Sequence, residues 1–137
     1  MKTKTNLLSV INNFPLSSKK FLSNSISSIN DIGFKIHKNK FKFNFFSSYS
    51  SHADYQTPNS ERVFNTRFDE KNIKSSFGFN TTNWISNIRY SFLQNNFGIT
   101  EDAIFNNSRE RKFVLPFQTI SNHNLSIENK FYVKQST

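Results

Sequence analysis

Residues 40–55, KFKFNFFSSYSSHADY, decide how this chain is read. Phe41, Phe43, Phe45, Tyr49, Ala53 and Tyr55 share one parity, and Lys40, Lys42, Asn44, Ser48, Ser50, His52 and Asp54 share the other. Side chains alternate between the two faces of an extended strand, so this spacing predicts a ribbon with one aromatic face and one polar face. A helix would mix them. The pattern runs for about sixteen residues, whereas globular strands usually run about three to ten, so it calls for an unusually tall sheet.

Working outward, Ile26, Ser28, Asn30, Ile32, Phe34 and Ile36 predict a preceding strand, with His37-Lys38-Asn39 as a short turn where the apolar parity changes. Residues 56–61, QTPNSE, predict a longer loop, reaching toward residue 72 through the charged FDEKN segment at 68–72. Ile73, Phe77 and Phe79 alternate next, and Thr81-Thr82-Asn83 predicts a tight connection. Trp84, Ser86, Ile88, Tyr90 and Phe92 then form another two-faced run, with Trp84 and Tyr90 expected near opposite ends of its apolar strip. Residues 94–121 lack a sustained period and predict a long loop. Leu125, Ile127, Phe131 and Val133 predict a final strand. The expected fold is all-β, with about five or six antiparallel up-and-down strands and connections alternating short and long. Outer-membrane barrels have that asymmetry.

Composition is compatible with such a surface. Hydrophobic residues make up 35% of the 137 and aromatics 16%, with 17 Phe against 1 Trp and 1 Met. Mean hydropathy is only −0.60. A barrel wall needs only half of each strand apolar, which reconciles a low mean with a lipid-facing surface. An AT-rich codon bias would raise Phe, Asn, Lys, Ile and Ser together, but would not make them alternate. The formal charge of +9 invites a phosphate-rich partner. The basic residues are scattered among Lys19 and Lys20, positions 35–42 and positions 109–112, so no nucleic-acid partner is expected. There is no Cys, hence no disulfide or thiolate site. No apolar run approaches a transmembrane helix. Residues 1–23 are expected to be poorly ordered and to carry no export signal.

The local phrases FSSYSSHADYQTPNSERVFNTRF, GFNTTNWISNIRYSFLQNNFGITE and LPFQTISNHNLSIENKF resemble the barrel portion of TonB-dependent outer-membrane receptors, particularly those of the Bacteroidetes. The resemblance covers about two thirds of the chain. It implies that residues 24–137 are part of a barrel of about twenty-two strands. Such receptors take up ferric siderophores or similarly bulky nutrients, with energy passed from a TonB partner. A full receptor also has a signal peptide, a TonB-contacting box and a plug. The expectation is therefore a fragment lacking these, at home in the outer membrane beside its lipid. The alternative reading is a soluble all-β binding module whose basic face takes an anionic ligand or nucleic acid.

Candidate chemistry is sparse. His37, His52 and His123 have no mutual metal-ligand spacing, and there is no phosphate loop or nucleophile elbow, so neither a metal, a cofactor nor a catalytic set is expected. Arg109, Arg111 and Lys112 in the long loop are candidates to meet an anionic ligand such as a siderophore, because guanidinium pairs well with carboxylate. On the polar parity, His52, Asp54, Arg89, Glu128 and Lys130 are expected to face the lumen, the last three paired with one another or with a plug.

Overall fold

The computed structural model describes residues 16–23, 26–100, 105–106 and 109–133. In chain order the strands are β1 (Leu16–Leu22), β2 (Ser27–Lys38), β3 (Phe41–His52), β4 (Arg62–Val63), β5 (Phe68–Asn80), β6 (Trp84–Gly98), β7 (Phe105–Asn106) and β8 (Phe117–Phe131). Six of them form one antiparallel sheet in the order β1-β2-β3-β5-β6-β8, and β4 and β7 pair separately. The sheet is an up-and-down meander whose two outer strands, β1 and β8, do not meet. Among the described residues there is no helix.

Strand β5 has 13 residues and β6 and β8 have 15 each, confirming the expected height. The tight β2–β3 and β5–β6 turns lie at one end, and the long connections lie at the other beside the short reversal that pairs Leu22 with Ser27. Between β2 and β3 the reversal is two residues, with Lys38 paired to Phe41 and Asn39 at φ 52°. Asn tolerates this left-handed backbone because its short polar side chain bonds locally. The tight turn also flips the apolar parity from even to odd, as the sequence requires. At the β5–β6 turn, Thr81 Oγ1 accepts a hydrogen bond from Trp84 N at 3.1 Å, and Thr81 N donates to Trp84 O at 2.8 Å.

Directly opposed residues share a face, so the register fixes which side chains stand together. Phe43 opposes Ile36 and Phe77, Phe77 opposes Ile88, and Ile88 opposes Ile127. One face is thus an apolar band crossing β2, β3, β5, β6 and β8. Its turn-side border is aromatic: ring centroids are 5.1 Å apart for Phe41–Phe79, 5.3 Å for Phe79–Trp84 and 5.8 Å for Trp84–Phe131. Toward the long loops the band gives way to a polar row in which Lys71 pairs with Gln94 and Gln94 with Ser121. No described element covers the band. Phe41, Trp84, Ile88 and Tyr90 are exposed, and Phe43 and Phe45 are only half-buried. A closed sandwich core would have buried all six.

The structure corrects several expected boundaries. Residues 16–22, expected to lack order, form β1, with Leu16 opposite Gly33 and Leu22 opposite Ser27. The two-faced ribbon ends at His52, short of Asp54 and Tyr55. The charged segment 68–72 lies inside β5. Gln94 pairs with Ser121 and Gly98 with Phe117, so the connection between β6 and β8 shrinks to residues 99–116, with β7 inside it. These ladder ends lack sustained hydrophobic alternation because both their faces are mostly polar, with only Phe97, Phe117 and Ile120 interspersed at 94–98 and 117–121, and backbone pairing does not require an apolar face. Tyr90 stands within the band and meets His123 Nδ1 at 2.9 Å, not at its far border.

Candidate functional site

The most tightly enclosed part of the molecule lies at the long-loop end. Residues 53–67 leave β3, turn at Pro58 and Asn59, and return to β5. Thr57 N donates to Glu61 O at 2.7 Å and Ser60 N to Thr57 O at 3.0 Å, so the turn closes with ordinary backbone bonds. The only buried apolar residues among those described are Ala53 and Val63. Around them the interior is polar: Asp54, Arg62, Asn65 and Arg67 are all buried.

Asp54 and Arg67 organise this interior. Asp54 Oδ1 accepts from Thr66 N at 2.9 Å, Arg67 N at 2.9 Å and Arg67 Nε at 3.1 Å, while Oδ2 accepts from Arg67 Nη2 at 2.6 Å. This is a two-pronged guanidinium–carboxylate pair with two backbone donors added, and the side chains are 0% and 1% exposed. Burying such charges is costly unless every lone pair and proton is used, and here nearly all are. Arg67 Nη1 donates onward to Lys112 O at 2.6 Å, and Arg62 Nη1 donates to Asp54 O. Phe64 lies under the Arg67 guanidinium, 5.7 Å from ring centroid to carbon.

Asn65 makes a second tie. At φ 59° it turns its amide toward the β6–β8 connection, where Nδ2 donates to Ile99 O at 2.8 Å and to Pro116 O at 2.7 Å. Gly98 makes room for it. A Cβ at residue 98 would stand 2.3 Å from Asn65 Oδ1 and 2.4 Å from its backbone oxygen. Thr100 Oγ1 adds a bond to Phe64 O at 3.0 Å. Two long connections are thus fastened into one body.

The predicted loop cations do not converge. Arg109 is exposed and lines a cavity of about 470 Å³ with Phe21, Ile26, Gln56 and Arg62. Arg111 instead donates from Nη2 to Ile26 O, and Lys112 contributes its carbonyl to Arg67. His52 and Asp54 also part company: His52 ends β3 on the polar face, whereas Asp54 is buried among the loop residues. Asp54 is sealed in the ion pair, both its oxygens accepting from Arg67 and Oδ1 also from Thr66 N. His52 Nδ1 meets Ser27 Oγ at 2.5 Å, and its ring stacks on Phe68 with centroids 3.9 Å apart. Burial, and then the positive field of Arg111, hold the His52 imidazole below its ordinary pKa, with Glu70 opposing.

Arg89, Glu128 and Lys130 fall together on the polar face. Glu128 accepts Lys130 Nζ at 3.2 Å and Arg89 Nη2 at 3.5 Å, on the surface. Sequence reading missed Arg62, Asn65 and Arg67. Their spacing from Asp54, Gly98 and Pro116 has no period, and the only local hint is an Asn and a Gly at positions able to take unusual backbone or close contact. No protein-family model matches this chain, and neither does any curated protein or solved structure at a significant level.

Proposed function

We propose that this chain is part of the transmembrane barrel of a TonB-dependent outer-membrane receptor and serves the uptake of a ferric siderophore or similarly bulky nutrient. One observation carries the membrane reading. A tall antiparallel sheet leaves an aromatic-bordered apolar band uncovered by any described element on one face and keeps most of its charges, among them Lys35, Lys42, Lys74, Arg89, Glu128 and Lys130, on the other. From Trp84 to Phe92 the band measures about 27 Å along β6 at about 3.4 Å per residue, near the roughly nine residues a tilted membrane strand needs. Exposed to water, such a band would be an aggregation surface. Against lipid it is the stable arrangement, with the Phe41, Phe79, Trp84 and Phe131 row at headgroup depth. Unpaired strand edges are costly in hydrocarbon, so β1 and β8 call for further strands beside them. The receptor and its nutrient rest on the sequence resemblance, with support from the fastened loops and from Arg109 beside the loop-end cavity.

Trp84 is the single tryptophan and reports on this reading directly. The full chain, refolded into phosphatidylcholine vesicles and showing β ellipticity, is expected to have its fluorescence quenched more by acyl chains brominated near the headgroup than by chains brominated near the bilayer centre. A β-rich chain whose Trp84 is quenched by neither overturns the membrane assignment.

A further inference from the structure

We infer that the polar face carries a binding site for a compact dianion with an aromatic body, built between Lys35 on β2 and Lys74 on β5. A cavity of about 580 Å³ lies there, lined by Leu16, Gly33, Lys35, Phe46, Lys74 and Ser76 among others. That volume is in the range of small-molecule sites.

The register explains why the cavity exists. Gly33 opposes Phe46, and Phe46 opposes Lys74; one step along, Lys35 opposes Asn44, and Asn44 opposes Ser76. All of these side chains stand on the polar face. Gly33 and Ser76 are small, so the floor is low, while Phe46 and Leu16 stand up as apolar walls. Phe46 is an exposed aromatic on this face, and its Cδ2 lies 3.4 Å from where a Gly33 Cβ would be. A ring laid on that floor would meet Phe46.

The two lysines give the site its sign. They flank β3 from opposite sides, with Cα atoms on the order of 12 Å apart from strand spacing and rise. Their four-carbon stems let both ammonium groups reach one ligand between them. Lys42 lies on the same face two residues from Asn44 and adds to the positive field. The carboxylates of this face are engaged elsewhere. Asp31 accepts from Ser48 at 2.6 Å and Ser18 at 2.8 Å, and Glu128 holds Lys130 and Arg89. Glu70 stands toward the long-loop end, where its field acts on His52. Among the described ion pairs none includes Lys35, Lys42 or Lys74. Two anionic groups about a ring's width apart can engage one lysine each. The inference stands on the polar face alone and does not depend on lipid covering the other face.

Isophthalate is a suitable probe: a benzene ring with two carboxylates. Titrated calorimetrically into the full chain in detergent micelles, it is expected to bind saturably, more weakly as salt is raised. Succinate, which lacks the ring, and benzamide, which lacks the charges, should each bind about tenfold more weakly or worse. Lys35→Gln or Lys74→Gln should cost about tenfold each, while Lys40→Gln in the adjacent turn should not. Because a variant could misfold, the wild-type chain supplies a second reading. Saturating isophthalate should slow reductive methylation of Lys35 and Lys74 several-fold while leaving Lys40 unchanged, as resolved by mass spectrometry. No saturable isophthalate binding, or equal protection at all three lysines, overturns the site.

Discussion

The middle of the sheet and its long-loop end are built on opposite rules. In the middle, the chain places its aromatic residues on a face that no described element covers, and its charges lie in the open. At the loop end the apolar contribution is small, and the enclosed groups are a carboxylate, two guanidiniums and an amide. The first region is one layer thick and depends on what lies outside it. The second is held from within by directed bonds between residues far apart in sequence. The contrast fits a wall whose medium supplies the apolar contacts and a loop end that must hold its shape in water by itself.

That comparison is most easily broken at Asp54. Asp54→Leu leaves the Arg67 guanidinium buried without a counter-charge, and removing one partner of a buried pair typically costs about 3 to 5 kcal/mol. The loss should fall on the loop end. Amide exchange at Thr66 and Arg67 should accelerate strongly while the β5–β6 ladder beside Phe77 and Ile88 keeps its protection. Equal loss in both places would mean that the two regions are one cooperative unit.

Glycines provide a finer test. Gly98→Ala forces a Cβ into the Asn65 amide and backbone oxygen, and overpacking of this kind typically costs about 1 to 3 kcal/mol. Gly78→Ala should cost much less, since its Cβ would meet Asn87 Oδ1 at 3.0 Å, the end of a side chain that can swing away. Urea unfolding of the two variants in micelles should separate them clearly. In the band, Phe79→Ala removes a ring in contact with Phe41 and Trp84, and aromatic pairs are worth about 0.5 to 1.5 kcal/mol each beyond their area. The same measurement should show a loss of that order, with the loop end untouched.

Acidification should act on the loop end alone and more gently. The folded His52 pKa lies below its ordinary value of 6.5, so the unfolded chain takes up the proton first. Loop-end stability is therefore full above pH 6.5, falls as pH drops through that value and levels off once the folded imidazole is also protonated. His52→Gln should flatten the profile, as followed by amide exchange between pH 7.5 and 5. The smallest effect is expected at Glu128→Gln, where an exposed surface pair contributes about 0 to 1 kcal/mol and unfolding should barely shift.

How much could be read in advance follows the same division. Alternating residues such as Phe41, Phe43 and Phe45, or Trp84, Ile88 and Phe92, announce both the strands and their faces, because each apolar side chain carries its own signal. Strand ends at 94–98 and 117–121 were hidden, since mostly polar residues on both faces, broken only by Phe97, Phe117 and Ile120, give no sustained period even where the backbone ladder is complete. Strand β1 was hidden for the same reason: Ser17, Ser18, Lys19 and Lys20 look like a solvated segment until β2 offers them a partner. Arg89, Glu128 and Lys130 were legible as a polar-face group because each lies on an already periodic strand.

By itself, the sequence determined the all-β class, the two-faced character of the strands, the tight turns at Asn39 and Thr81-Thr82-Asn83, and the alternation of short and long connections. These are local consequences of side-chain period and turn chemistry. Only the tertiary structure decided that Asp54 meets Arg67, that Asn65 reaches across to Ile99 and Pro116 above Gly98, and that Lys35 and Lys74 flank a cavity walled by Phe46. Such groupings depend on strand register and on loops returning to the same place, and a one-dimensional pattern carries no distance between residues that far apart in the chain.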